Sequence, residues 1–224
     1  MQQALTFQYA HPLATITPSK QTATGIKGRH IDEEAAENTV PKVIARQWRD
    51  IAASSDSGGI RFGNAMHAVM QYINYGVCVD KEAVHAEIGR LVRESYISQE
   101  QADMVDQNAI TEFFTSEIGQ KLRCGEVLRE FKFSILQDAA IEDPQLMGEQ
   151  ILLQGVVDCA LIEDDGITII DFKTDHVARE TLSLKVGQYT PQVAAYAQAM
   201  EKIYGRPVKQ RFLYFFNLNQ FISV

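Results

Sequence analysis

The chain predicts an α/β fold, with a core sheet preceded in sequence by a helical layer. Three observations point that way. Apolar residues recur at helical spacing from about residue 60 to residue 120, strand-like runs begin near residue 127, and a long helical pattern separates the last two such runs. Helices first, then strands, then a strand–helix–strand passage, is the order of a sheet covered by helices.

Taken in order, residues 1–40 carry Thr15, Thr17, Pro18, Ser19, Thr22, Thr24 and Gly25 without a sustained period, and read as irregular chain. Residues 41–53 (PKVIARQWRDIAA) suit a short amphipathic helix, and residues 54–59 a flexible break. From Asn64 to Tyr75 the spacing of Met66, Val69, Met70 and Ile73 predicts a helix with one buried face. Residues 80–95 and 98–120 predict two more, the second opened by a Ser98/Gln101 capping box. Residues 127–136 (VLREFKFSIL) alternate like a strand.

Two apolar runs follow, Ile151–Ile162 and Ile167–Phe172, joined by Glu163-Asp164-Asp165-Gly166, which has the composition of a hairpin loop. A hairpin centred between Asp164 and Asp165 pairs residues whose numbers add to 329, and Asp158 and Asp171 satisfy that relation. The two acids are therefore expected opposite each other, about 5 Å apart at the backbone. Lys173 returns to the same face because strand side chains alternate. A helix is predicted from Tyr189 to Tyr204, with Thr190 as N-cap, Pro191 at the first helical position and Gly205 as its stop. Residues 211–218 (RFLYFFNL) read as a buried strand.

Composition narrows the function classes. At 224 residues the chain can bury a sizeable core, and 46% hydrophobic residues without a long uninterrupted apolar run predict a protein that does not span a membrane. The N-terminus lacks a basic stretch followed by an apolar one, so a cytoplasmic protein is expected. Cys78, Cys124 and Cys159 are widely spaced, with no CxxC pair, which argues against a thiolate-built zinc or iron–sulfur site. A net charge of −8 argues against tight independent binding to nucleic acid, yet leaves room for a metal-dependent site. There is no GxxxxGK[ST] phosphate loop, hence no ATP motor of that kind.

The chemistry concentrates in the hairpin. A single strand aspartate is usually solvated, but two acids in cross-strand register repel each other, and burying them costs more still. A divalent cation resolves that conflict, since hard oxygen ligands on a rigid sheet suit Mg²⁺ or Mn²⁺. Lys173 beside such an ion can orient a water or offset developing phosphate charge. His67 alone reads as a packed helix residue; beside the acids it becomes a third ligand. Gln192 and Tyr196, four apart, share a helix face, which serves either ordinary amphipathic packing or a reach over the site. Glu130 alone reads as a solvated strand acid.

Five stretches, in order, carry a family resemblance: Gly63–His67, Arg129–Phe133, Gln154–Asp158, Asp171–Asp175, and Tyr189 through Gln192 to Tyr196. Together they resemble the RecB-type branch of the PD-(D/E)XK nucleases, and within it the C-terminal nuclease domains of AddA-type helicase-nucleases. GVVD and IIDFKTD at hairpin spacing, with QxxxY downstream, form the most specific part; Thr17–Lys20 resembles the segment that often precedes such domains.

The resemblance implies a restriction-endonuclease-like central mixed sheet flanked by helices, with residues 1–59 as lead-in and 60–224 as the nuclease domain. It implies that His67, Asp158 and Asp171, with the backbone carbonyl of Phe172, bind Mg²⁺ or Mn²⁺. Lys173 is then the catalytic lysine, Gln192 and Tyr196 support the site or contact DNA, and Glu130 matches an acid of less defined role. The implied activity is metal-dependent DNA cleavage, of exonuclease type, in double-strand-break repair. The implied partners are DNA, a helicase motor on the same longer chain and an AddB-like protein. Two other readings stand beside it: a catalytically silent scaffold of the same fold, and a phosphoesterase acting on small nucleotides.

Overall fold

The computed structural model describes residues 19–25, 57–141 and 144–224. They form a six-stranded mixed sheet flanked by helices, as the sequence predicts. The expected helix over 41–53 lies outside the described residues.

Helix α1 (Ser57–Tyr72) begins earlier than its apolar spacing suggests, taking in Ser57 to Gly59, where the sequence predicts a flexible break. Its buried face carries Ala65, Met66, Val69 and Met70. Helix α2 (Lys81–Arg93) is capped by Asp80, whose carboxylate accepts from the Ala83 N–H at 2.8 Å. The single helix expected over 98–120 is instead three: α3 (Gln99–Met104), α4 (Gln107–Thr115) and α5 (Glu117–Cys124). The predicted capping box of α3 is present, with Gln101 N–H donating to Ser98 and Ser98 N–H donating to Gln101. Val105 and Ser116 are extended, and the side chains of Asp106 and Ser116 cap the restarted helices, satisfying amide groups that a continuous helix would have paired internally. Gly119 permits the tight join, because a Cβ there would sit 2.0 Å from the Phe113 carbonyl oxygen.

The strands are β1 (Lys20–Thr22), β2 (Glu126–Asp138), β3 (Gln150–Glu163), β4 (Gly166–Lys173), β5 (Val208–Phe215) and β6 (Gln220–Ser223). The hairpin has the predicted register: Glu163 pairs with Gly166 and Cys159 with Ile170, around a two-residue Asp164-Asp165 turn. Strand β2 pairs with β3 from Gln150 to Ile162, so β1 and β4 share the opposite edge of β3. There β1 runs parallel to Leu152–Gln154 and β4 antiparallel to Cys159–Glu163. Gly155 to Asp158 lie at the fork between them. A Cβ on Gly155 would meet the Phe133 ring at 2.6 Å and the Ala23 Cβ at 3.1 Å, so glycine leaves room for that ring and for the chain after β1 against the sheet.

Two short strands are not legible in the sequence. Strand β1 falls in the stretch that reads as irregular, and β6 follows the turn at residues 216–219, so the expected strand over 211–218 gives out after Phe215. Of the expected lead-in, Lys20–Thr22 belongs to the same sheet as residues 126–223.

Helix α6 (Leu182–Tyr204) links the parallel pair β4 and β5. It starts two turns before the predicted Tyr189, which places Pro191 inside it; Thr190 is a helical residue whose hydroxyl donates back to the Val186 carbonyl at 2.8 Å. An internal proline disfavours a helix by about 3 kcal/mol. Packing of Leu182, Val186 and Tyr189 against the sheet holds the first turns in place nevertheless. Gly205 ends the helix in the left-handed region, as expected.

The core has two halves. One joins α1, α2, α4 and α5 to Cys159, Leu161, Ile170, Phe172 and Tyr214; the other joins α6 to Ala160, Ile167, Ile169, Leu213 and Phe215. The alternation slips in one place. Leu128, Ala160 and Ile162 pack on the α6 side, and so do Phe131, Phe133, Val157 and Leu153. Inward positions therefore change from even to odd across Glu130 on β2 and Asp158 on β3. Glu130 has φ of 49°, in the left-handed region where a side chain is strained by roughly 1–3 kcal/mol.

Candidate active site

That paired kink turns Glu130 and Asp158 out of the ladder. The register on either side, Arg129 with Cys159 and Phe131 with Val157, sets the two acids across from each other. The β3–β4 ladder ends one pair short of Asp158 and Asp171, because β4 leaves β3 there. In its place the Phe172 N–H donates to Asp158 Oδ2 at 2.8 Å, which fixes the carboxylate.

Helix α1 brings His67 to this point. Its Nδ1 lies 3.8 Å from Asp158 Oδ2 and 3.9 Å from Glu130 Oε1, and its ring meets the Phe172 ring edge-on at 6.2 Å. Gly63, four residues earlier, sits inside α1 and not at its start. Arg129 clamps β2 to the helical layer, donating to the Ile73 carbonyl with its guanidinium 5.1 Å from the Tyr75 ring centre. Ligand atoms of His67, Glu130 and Asp158 all lie within 4.8 Å of one another. Burial pushes the Asp158 carboxyl up to about 8; the nearby His67 opposes the rise, while the charges of Asp171 and Glu130 add to it.

Asp171 adjoins this cluster and faces Lys173. Its Oδ2 is 2.8 Å from Lys173 Nζ, and the pair is buried. The ammonium is also within 3.4 Å of Gln192 Oε1 and lies 4.1 Å from the centre of the Tyr189 ring. Gln192 Nε2 donates to the Tyr196 hydroxyl at 2.7 Å and to Thr24 Oγ1 at 3.3 Å. Burial first, then the charges of Asp171 and Asp158, hold Tyr196 well above the usual phenol value, so it is a neutral hydroxyl. Behind it, the Tyr189 hydroxyl donates to Asp175, which also takes Lys185 Nζ at 3.2 Å. Burial works against that carboxylate's charge, but the Tyr189 hydroxyl and Lys185 together hold it below its ordinary value.

Every residue singled out from the sequence borders one cavity of about 330 Å³, apart from Phe172, which reaches it through its amide. The grouping differs from expectation. Glu130, read as a solvated or supporting acid, stands with His67 and Asp158, whereas Asp171 is engaged by Lys173. Gln192 and Tyr196 are buried beside Lys173, as supports for it. Sequence reasoning missed Thr24, Asn64 and Lys132 on the cavity wall, and Tyr189 beneath Lys173. Tyr189 was within reach, since positions 189, 192 and 196 fall on one helix face.

Comparison with known proteins adds an independent line. A family model for the PD-(D/E)XK nuclease superfamily matches residues 44–221. The chain is 33% identical over 237 residues to an ATP-dependent helicase/nuclease of Bacillus mycoides strain KBAB4, covering 98% of this chain and 19% of that protein. It is 33% identical over 234 residues to the ATP-dependent helicase/nuclease of Bacillus cereus strain AH187 and 34% identical over 237 residues to that of strain ZK, with the same coverage. The chain thus spans about a fifth of the length of these relatives.

Proposed function

The chain belongs to the PD-(D/E)XK nuclease superfamily, and from that premise we propose that it is a metal-dependent DNA nuclease of exonucleolytic type. It would serve as the nuclease module of a longer helicase-nuclease in break repair, in the cytoplasm. Nucleases of this superfamily use divalent metals. The observation that carries the reading is the convergence of His67, Glu130 and Asp158 beside an Asp171–Lys173 pair in one cavity.

The donor set fits a hard divalent cation: two carboxylates and one imidazole, with the Asp171 carboxylate in the same cavity. Oxygen donors favour Mg²⁺, and the imidazole makes Mn²⁺ an able substitute. Burial raises the Asp158 carboxyl most, and the charges of Asp171 and Glu130 add to it against the opposing charge of His67, so a cation there would relieve a buried, crowded acid. A bound cation there supplies Lewis-acid neutralisation of the phosphodiester and a nucleophile at neutral pH.

The chain's own residues do the rest. His67, Glu130 and Asp158 fix the position of positive charge against the scissile phosphate. Lys173, held between Asp171, Gln192 and the Tyr189 ring, presents an oriented ammonium to the attacking water or to the charge that grows on the phosphoryl oxygens. Gln192 and Tyr196 keep that ammonium from swinging away. The cavity of about 330 Å³ is lined by residues of β1, α1, β2, β3, β4 and α6 together, so the acids and Lys173 open onto one shared space in which a scissile phosphate would sit.

The relatives' name joins helicase to nuclease, and this chain's length leaves a motor, and an AddB-like protein, to be supplied from outside it. Among the described residues no helix is long and apolar enough to cross a membrane. The test is a cleavage assay on fluorescent single- and double-stranded DNA with Mg²⁺ or Mn²⁺, beside a small phosphodiester. Metal-dependent cleavage of DNA supports the reading. Activity on the small ester alone favours a phosphoesterase, and inactivity on all substrates favours a silent scaffold.

A further inference from the structure

The cavity has a second chemical pole. Beyond Glu130 on β2, Lys132 lines the wall opposite Val156 of β3, and Lys20 of β1 lines the same cavity from the other edge of β3, opposite Leu152 four residues earlier. Among the described residues Arg61, Arg90, Lys121, Lys185 and Lys209 are each ion-paired with an acid. Among the described residues no carboxylate lies within ion-pair distance of Lys20 or Lys132. In a chain of net charge −8, two such ammonium groups facing a cavity shared with three acids call for an anion.

Hydroxyl donors stand beside them. Thr22 Oγ1 accepts from the Gly25 N–H at 3.0 Å and Thr24 Oγ1 accepts from Gln192, so each hydroxyl keeps its own hydrogen to give. Thr22 lies opposite Gln154, and Gln154 Nε2 is committed to Ser134 at 3.0 Å. Lys132 is two residues from Glu130 along the strand, a separation of about 6.8 Å. That is of the order of one nucleotide step along an extended strand.

Resting on the nuclease reading, we propose that Lys20 and Lys132, with the hydroxyls of Thr22 and Thr24, form a subsite for a phosphate next to the scissile one on a single DNA strand. The metal cluster takes the phosphate to be cut, and the lysine pair takes its neighbour. The strand is thereby drawn between β1 and β2, which fixes its direction through the cavity. The short β1, outside the expected nuclease domain, becomes part of the substrate path.

The experiment compares wild type with Lys20→Ala, Lys132→Ala and the double variant on two substrates. One is a short fluorescent single-stranded oligonucleotide; the other is a thymidine p-nitrophenyl phosphate ester, which has no neighbouring phosphate. The double variant is expected to lose at least tenfold more kcat/KM on the oligonucleotide than on the ester. Equal losses on both, or no loss on the oligonucleotide, overturn the subsite. A binding arm runs independently of cleavage: anisotropy with the oligonucleotide in Ca²⁺ as salt is raised. The slope of log affinity against log salt is expected to become shallower by about 0.7 for each lysine removed. An unchanged slope overturns the proposal even if wild type cleaves neither substrate, an outcome that would defeat the nuclease reading separately.

Discussion

The two sides of the cavity solve opposite electrostatic problems. On the β4–α6 side, Lys173 meets Asp171, Gln192 and the Tyr189 ring, and Tyr189 meets Asp175, so the charges there are balanced within the fold. On the β2–β3 side, Glu130 and Asp158 converge on His67 with Asp171 close behind, and burial, reinforced by those acid charges, raises Asp158 to about 8. An ion-paired network of this kind helps hold one geometry on its own. A buried acid cluster that holds a proton on one of its members is the arrangement that the proposed cation would relieve. The difference between the sides separates the part that positions from the part that binds.

The largest expected effect lies where the two sides meet. Asp171→Ala and Lys173→Ala are each expected to lower kcat for DNA cleavage by roughly a thousandfold, while circular dichroism shows both variants folded. Wild-type, metal-dependent cleavage by both would erase the distinction. Gln192→Ala removes a support for Lys173 and a bond to Tyr196, and is expected to lower kcat by about 10–100-fold, with KM little changed. A loss confined to KM would make Gln192 a substrate contact.

Stability tests the acid side. Folded, Asp158 keeps its proton up to about pH 8, whereas its ordinary value is 3.8. Between those values the folded chain holds a proton that the unfolded chain has released, so metal-free stability falls as pH rises from about 4 to about 8. Asp158→Asn removes that dependence. Its metal-free Tm at pH 8 is expected to exceed that of wild type by a few °C, with the gap closing toward pH 4. A variant less stable than wild type at pH 8 would mean that the carboxylate is already well compensated. The smallest effect is expected from Tyr189→Phe, which keeps the ring under Lys173 but releases Asp175. Oligonucleotide kinetics should show a drop in kcat of only a few fold, about 1 kcal/mol or less.

Much of the positioning geometry is legible in the sequence. The hairpin register follows from a two-residue turn and period-two alternation, so Asp158, Asp171 and Lys173 come together from residue order alone. The fourfold spacing of Gln192 and Tyr196 does the same for α6. The binding side is less legible. Glu130 looks like one more polar position in an alternating strand, because a positive φ at a non-glycine residue leaves no mark in the hydrophobic pattern. Strand β1 is only Lys20 to Thr22, too short to show a period. Pro191 misleads through a sound local preference that packing of the preceding turns overrides. Asp106 and Ser116, by contrast, are capping residues by type, and the breaks in the 98–120 stretch could have been read from them.

His67, Glu130 and Asp158 are proposed to hold one divalent cation. Calorimetric titration of Mn²⁺ into wild type, Glu130→Gln and Asp158→Asn at pH 8 tests it most directly. A saturable site is expected in wild type, weakened at least tenfold by Glu130→Gln and lost in Asp158→Asn. Equal Mn²⁺ affinity in all three proteins would contradict it.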